Sequence, residues 1–357
     1  APGAAAARAV ALDDPDLRAP LRVLLGMVER PTTTRVEEVA GACAALSRWA
    51  EARGATATAL AFAEAAAGAS PDDASLAFAA GRLARRRAEH GRAETWFLRA
   101  AGLGRRSGEW EPYVMSWVGM GRIQLQKGNL PRARRHFLRA LRAARRQGVR
   151  EAEGQALHYL IVADGEMGDL AGAEAWAKEV YQVYGPRHAE LPRIAHDLAL
   201  IWSMQGFCRR AQAVFSALLP HFKRPTDRLS VLSNIVRAAG AMGDRATFEE
   251  AWGAAWELSR DPAVVDGCAG SMLAMALGAK LIGERSLAIE AAQLCIQTAT
   301  GREEEKIRHD AEALLDLLRS ARDDASAFVA VEAPSRDEAG DALAVEIIQC
   351  LSADTHA

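Results

Sequence analysis

The sequence predicts an all-α fold: a right-handed α-solenoid of about seven antiparallel helix pairs with a capping helix at each end. Three observations predict it. A fixed pattern of small and large apolar residues returns at intervals of 34, 40, 40, 38, 37 and 40 residues. A glycine stands five residues before nearly every return, where one helix must end and the next begin. Strand signals are sparse, because alanine is abundant, β-branched runs are short and aromatic residues make up only 6% of the chain.

The pattern is anchored on Ala59, Ala93, Ala133, Ala173, Ala211, Phe248 and Ala288. Four residues after each anchor come Ala63, Phe97, Phe137, Ala177, Phe215, Trp252 and Ala292, and three further on Ala66, Ala100, Ala140, Val180, Leu218, Ala255 and Cys295. The i, i+4, i+7 spacing places each trio on one face of a helix. Small residues let paired helices approach closely, and the large ones fill the space to the next pair. The turn glycines are Gly54, Gly128, Gly168, Gly206, Gly243 and Gly283; the unit of Ala93 has Ala88 there, with Gly91 nearby.

Taken in order, residues 1–15 read as a disordered or excised leader, since Asp13, Asp14 and Asp16 interrupt the apolar run that follows the alanines. Residues 16–30, with Leu17, Leu21, Leu24, Leu25 and Val28, read as an N-terminal capping helix that stops before Pro31 and the Thr32–Thr34 turn. The repeat array covers 36–300. Residues 301–321 read as a C-terminal capping helix, with Glu303, Glu304 and Glu305 in its first turn and a stripe of Ile307, Ala311, Leu314, Leu315 and Leu318. A linker, 322–335, leads to an acidic amphipathic tail, 336–357, bearing Leu343, Ile347, Ile348 and Leu351.

The unit from Trp117 to Ala140 has Trp117, Met120, Gly121, Gly128, Ala133, Phe137 and Ala140 in an order and spacing that resemble the tetratricopeptide repeat family. Intervals near 40 instead of 34 make most units similar to the long-helix variety found in bacterial regulatory proteins. The resemblance covers roughly residues 36–298 and implies a right-handed stack whose first helices line a concave, ligand-binding face.

Half of the 357 residues are apolar and a quarter charged, with a formal net charge of −2. That is the composition of a chain with ample core and no bulk preference for nucleic acid. No stretch approaches the ~20 apolar residues needed to span a bilayer. The five cysteines, Cys43, Cys208, Cys268, Cys295 and Cys350, lack any C-x-x-C spacing and read as small buried hydrophobes in a reducing cytoplasm. No metalloprotease, nucleophile-elbow or P-loop motif occurs, and Gly119-Met120-Gly121 reads as close helix packing, not a phosphate loop. A non-catalytic protein without cofactor or metal is therefore expected.

Charge is uneven beneath the near-neutral total. Residues 82–150 hold eighteen Lys or Arg against four Asp or Glu, while residues 322–357 hold two against eight. On the first helices, the face a third of a turn from the packed one collects twenty-four positions. Six of these are Lys or Arg, two are His and none is acidic, where composition alone would place about three acids. The candidate groove residues are Arg82, Arg85, Arg122, Gln126, Gln155, His158, Arg193, His196, Arg237 and Lys280, beside apolar Phe78, Val118 and Leu200.

That set predicts a protein–protein interaction scaffold that takes an acidic, partly hydrophobic peptide in a basic groove. Its structural counterpart is a set of solvated or internally satisfied side chains. Arg135, Arg139, Arg142 and Arg146 form a second basic stripe, a solvated outer face or an anion-contacting one. The acidic tail reads either as a segment that docks intramolecularly on the basic half as a tethered competitor, or as a floppy tail or simple end cap. An alternative function is the sensor or regulatory arm of a bacterial transcription regulator or another nucleic-acid-associated protein.

Overall fold

The computed structural model describes residues 14–30, 34–261, 264, 267–320 and 337–354. Most of the expected leader and all of the expected linker lie outside them, as do Pro31, Thr32, Thr33 and the last three residues of the tail. The described residues contain seventeen α-helices, one short 3-10 turn and no strand.

The helices are α1 (Pro15–Glu29), α2 (Val36–Ala52), α3 (Thr56–Ala69), α4 (Ala74–Arg86), α5 (His90–Ser107), α6 (Trp110–Gln126), α7 (Leu130–Gln147), α8 (Arg150–Glu166) and α9 (Leu170–Tyr184). They continue as α10 (Leu191–Met204), α11 (Cys208–Leu218), α12 (Pro225–Met242), α13 (Arg245–Leu258), α14 (Cys268–Leu281), α15 (Arg285–Gly301), α16 (Glu305–Ser320) and α17 (Glu338–Asp354). The chain divides into two compact units: residues 1–123 with 135–153, and residues 124–134 with 154–357.

Each repeat is a first helix and a second helix, from α2–α3 to α14–α15. All seven anchors are at most 1% exposed, and every residue four and seven positions further on is buried as well. The repeating pattern is therefore the core itself. In the first unit, Ala50, Leu60, Ala80, Leu83, Phe97 and Ile123 from five successive helices form one apolar cluster. A Cβ on Gly119 would lie 2.4 Å from the Phe97 ring, and one on Gly121 2.3 Å from Phe137, so both glycines are packing residues as expected. In the second unit Gly240 of α12 and Gly278 of α14 bring two backbones together: a Cβ on either would fall within 2.6 Å of the other helix's main chain.

The turns follow one design. Gly128 has φ 72°, and the amides of Gly128 and Asn129 donate back to the carbonyls of Leu125 and Gln124, closing α6. Asn129 then accepts from the Arg132 amide and opens α7. Asp169 and Asp244 repeat the cap for α9 and α13. Ala88, in the unit without glycine, still takes the left-handed conformation, φ 60°. Packing of α4 and α5 dictates the turn there, at a backbone cost that glycine would not incur.

After the last repeat, α16 packs on α15 and α14 through Ala311, Leu314, Leu315 and Leu318. The acidic helix α17 packs on α11 through Ala344, Ile347 and Leu351.

Candidate functional site

The first helices present very different chemistry in the two units. In the first unit, Arg82 donates two hydrogen bonds to the Glu51 carboxylate, at 2.5 and 2.6 Å, and Arg86 adds a third at 2.6 Å. These bonds hold the Glu51 carboxyl below its ordinary value, although burial works against them. Arg82 is therefore not the free groove cation that the sequence suggests. Arg85 is 6% exposed and belongs to the interior; Arg122 is half-buried and already has a partner. Val118, expected to hold ligand side chains, is only 2% exposed and sits in the core. Phe78 packs against the Phe97 ring, 5.9 Å between centroids. The hundred-degree step per residue places these side chains between helices as often as on a free face.

In the second unit, three consecutive first helices are tied by one polar network. His158 of α8 donates from Nε2 to Asp197 of α10. His196 lies 3.1 Å through Nδ1 from the same carboxylate, and its Nε2 is 3.2 Å from Ser230 Oγ and 3.1 Å from Asn234 Nδ2 on α12. The Asp197 carboxylate accepts from both rings, and Nε2 of His196 faces the polar side chains of α12. Burial alone would raise the Asp197 carboxyl, yet the charge and hydrogen bonds of the two histidines hold it well below the usual carboxylate range. His158 is 3% exposed, so it positions helices instead of meeting a ligand. His196, also drawn into the network, remains only partly open to solvent.

Asp197 is the member of this network that the sequence pattern did not single out. It lies four residues after Arg193, one position outside the face selected on α10. The signal was available: His158 and His196 occupy equivalent places in adjacent repeats, and an acid follows the second directly.

Arg237 of α12 is different. It lies among the close-packed helices α12 and α14, where a Cβ on Gly278 would sit 2.9 Å from its Cα. Among the described residues its guanidinium makes neither a hydrogen bond nor an ion pair. Burial pushes it down from the ordinary arginine value, with Cys208 and Glu166 offsetting this only in part. Glu166 itself is held by Lys306, 2.6 Å away. Elsewhere on the first helices, Arg193 of α10 pairs with Glu190 at 3.3 Å while staying exposed, Lys280 of α14 is exposed, and Gln155 of α8 and Gln126 of α6 are half-buried. Gln126 lines a cavity of about 150 Å³ with Leu125, Leu130, Val162, Ile307 and Lys306, and its Oε1 is buried without a hydrogen-bond partner.

The outward arginines of α7, Arg135, Arg139, Arg142 and Arg146, are all exposed. Arg139 stacks over Trp117, 3.6 Å from the ring centroid, and donates to the Tyr113 hydroxyl. The stripe therefore carries one aromatic contact. Cys43, Cys208, Cys268 and Cys295 are buried thiols, and burial pushes Cys295 up to about 12, which leaves it unreactive at neutral pH. Among the described residues no cluster of three or more His, Cys, Asp or Glu is arranged to hold a metal, and no helix is long and apolar enough to cross a membrane.

The stacked pairs, turn geometry and buried spine define a helical-repeat solenoid of the tetratricopeptide type. Comparison with solved structures supports that class. The chain is similar to a Rap protein complexed with competence and sporulation factor, with a TM-score of 0.61 and 10% identity over 83% of this chain and 86% of that one. It is also similar to the Cut9–Hcn1 hetero-tetramer of APC/C, with a TM-score of 0.54 and 15% identity over 87% of this chain and 54% of that one. No protein-family model matches the sequence, and no curated protein matches it.

Proposed function

We propose that this chain is a non-catalytic scaffold in the bacterial cytoplasm, binding an acidic or amphipathic peptide segment along the first helices of its second unit. The observation that carries the reading is Arg237. Arg237 is half-buried between helices, and the carboxylate that acts on it, Glu166, is already held by Lys306, so an anionic ligand group would offset the cost of its desolvation. Arg193 and Lys280 add exposed cations, while the half-buried Leu200, Leu273 and Leu277 offer apolar contact. The His158–Asp197–His196 network keeps α8, α10 and α12 in register, so the face is fixed before a ligand arrives. A Rap protein complexed with a factor shows that a similar fold carries a bound factor, which supports a binding role here. On this reading α1 and α16 close the ends of the stack.

The test is fluorescence polarisation with two labelled peptides of equal length and apolar content, one Glu-rich and one Lys-rich. The Glu-rich peptide binds, and Arg237→Glu weakens it by about tenfold or more while helicity is unchanged. Equal binding of both peptides, or indifference to Arg237→Glu, rejects the reading.

One observation favours a second reading, a nucleic-acid-associated regulatory arm: the four exposed arginines of α7 with Arg139 on Trp117. That reading requires binding to arbitrary duplex or RNA that falls steeply with salt and is lost when Arg135 and Arg142 become Glu.

A further inference from the structure

The helix α17 is held by a bond set that the repeat does not require. Its receptor is Arg210 of α11, whose side chain is 5% exposed. The guanidinium lies over Phe207 and Trp202, 4.3 and 5.1 Å from their ring centroids. Its Nε donates to Asp341 Oδ1 at 2.8 Å, its Nη1 to Asp337 Oδ2 at 2.9 Å and its Nη2 to the Asp337 carbonyl at 2.9 Å. Asp337 also accepts from the Gly340 amide, so the carboxylate that receives the arginine is the one that starts the helix. Position 340 has no room for a side chain: a Cβ there would lie 2.2 Å from both Arg210 Nη1 and Asp337 Oδ2. Beyond this clamp Ala344, Ile347 and Leu351 are buried in one stripe, and the Tyr181 hydroxyl of α9 donates to Glu346.

The two halves of the contact are unequal. The arginine is buried over rings supplied by α10 (Trp202) and the α10–α11 turn (Phe207), so its position belongs to the second unit. The carboxylates are not buried: Asp337 and Asp341 are 34% and 59% exposed, and α17 offers its other face, including Val345, to solvent. Lifting α17 away would uncover an arginine stacked on aromatic rings beside an apolar strip, a surface complementary to a helix of the same pattern.

We infer that α9 and α11 form a receptor for an acidic amphipathic helix, that α17 is its resident occupant, and that a partner's helix bearing paired carboxylates, a glycine and the same apolar stripe displaces it. The site is separate from the first-helix face and does not rest on the role given to Arg237. Tethering holds α17 at an effective concentration on the order of millimolar, so the partner competes by affinity or abundance.

The experiment uses the full chain with Asp337→Lys and Asp341→Lys, which releases the helix without touching the receptor. The probe is a labelled peptide of residues 337–354 in the natural sequence. The released chain is expected to bind the probe at least about tenfold more tightly than the unmodified chain. A probe carrying the same two substitutions should not bind, and adding Arg210→Lys to the released chain should remove most of the gain by breaking the fork. Equally weak binding to both chains at unchanged helicity overturns the inference. So does a dimer formed by exchange of α17 between copies without probe binding. On the unmodified chain, hydrogen exchange gives an independent reading: α17 amides exchange much faster than those of α11 if it detaches, and equal protection overturns the proposal.

Discussion

The two units share one repeat but differ in how particular charges on their helices are matched. In the first, several arginines are held by carboxylates: Arg82 and Arg86 by Glu51, Arg92 by Glu64 and Glu89, Arg53 by Asp14. In the second, the carboxylate of Asp197 is shared by two histidines, while Arg237 feels Glu166 only at a distance and makes no ion pair with it among the described residues. The seven trios of core residues are buried alike in both. In a solenoid each repeat leans mainly on its neighbours, so a locally unfavourable cation can be carried by the packing around it. The contrast separates what builds the stack from what the stack presents.

The largest expected effect breaks the comparison at its strongest point. Replacing Asp197 by Ala leaves His158 and His196 without their common acceptor and should cost about 3–5 kcal/mol in urea unfolding. Replacing Glu51 by Ala in the first unit, where the arginines reach solvent, should cost only about 1 kcal/mol. Equal losses would mean that the network of the second unit is no more structural than a surface pair. The pH dependence has a fixed sign. Both carboxyls are held below their ordinary values, so their stabilisation is present above pH ~4 and is lost as pH falls through the depressed native values. The Asp197→Asn chain should show a flatter loss of stability in that acid range than the parent.

A smaller pair of substitutions sharpens the comparison, because opposite signs are expected. Arg237→Met removes a desolvated charge and keeps an apolar side chain, which should stabilise the second unit by about 1 kcal/mol while weakening peptide binding. Arg82→Met takes a two-pronged ion pair from Glu51 and should destabilise the first unit by up to about 1 kcal/mol. Thermal unfolding checks both. Destabilisation by Arg237→Met would show that the arginine is a structural group with a counter-charge in solution, and would remove the basis for a ligand there.

The legible and illegible parts of the molecule divide along the same line. Ala133, Phe137 and Ala140 could be assigned to a buried face because burial at i, i+4 and i+7 depends only on positions along one helix. Whether Arg82 or Arg237 is free depends on carboxylates distant in sequence, and Glu51 precedes Arg82 by 31 residues. No periodicity encodes that distance. The acidic tail illustrates the same gap. Its amphipathic pattern announces a docking helix, but its observed contacts, Arg210 and Tyr181, lie outside the basic stretch of residues 82–150 where charge alone would send it.

The smallest expected effect tests whether the turn between helices is as uniform across the two units as the spine. Ala88 in the first unit and Gly168 in the second occupy the same place in the repeat, with φ of 60° and 82°. An L-residue pays a steric cost in that region, while glycine gains freedom in the unfolded chain; the two terms oppose. The steric term is the larger. Ala88→Gly should therefore stabilise the first unit by about 0.5–1 kcal/mol, although glycine lowers helix propensity elsewhere. Gly168→Ala, where nothing lies within 4 Å of the added carbon, should destabilise the second unit by a similar amount through backbone strain alone. Opposite shifts in thermal midpoint would establish that packing forces this turn on whatever residue stands there. Two shifts of the same sign would mean that the α4–α5 turn relaxes locally, and that Ala88 marks a departure from the common design.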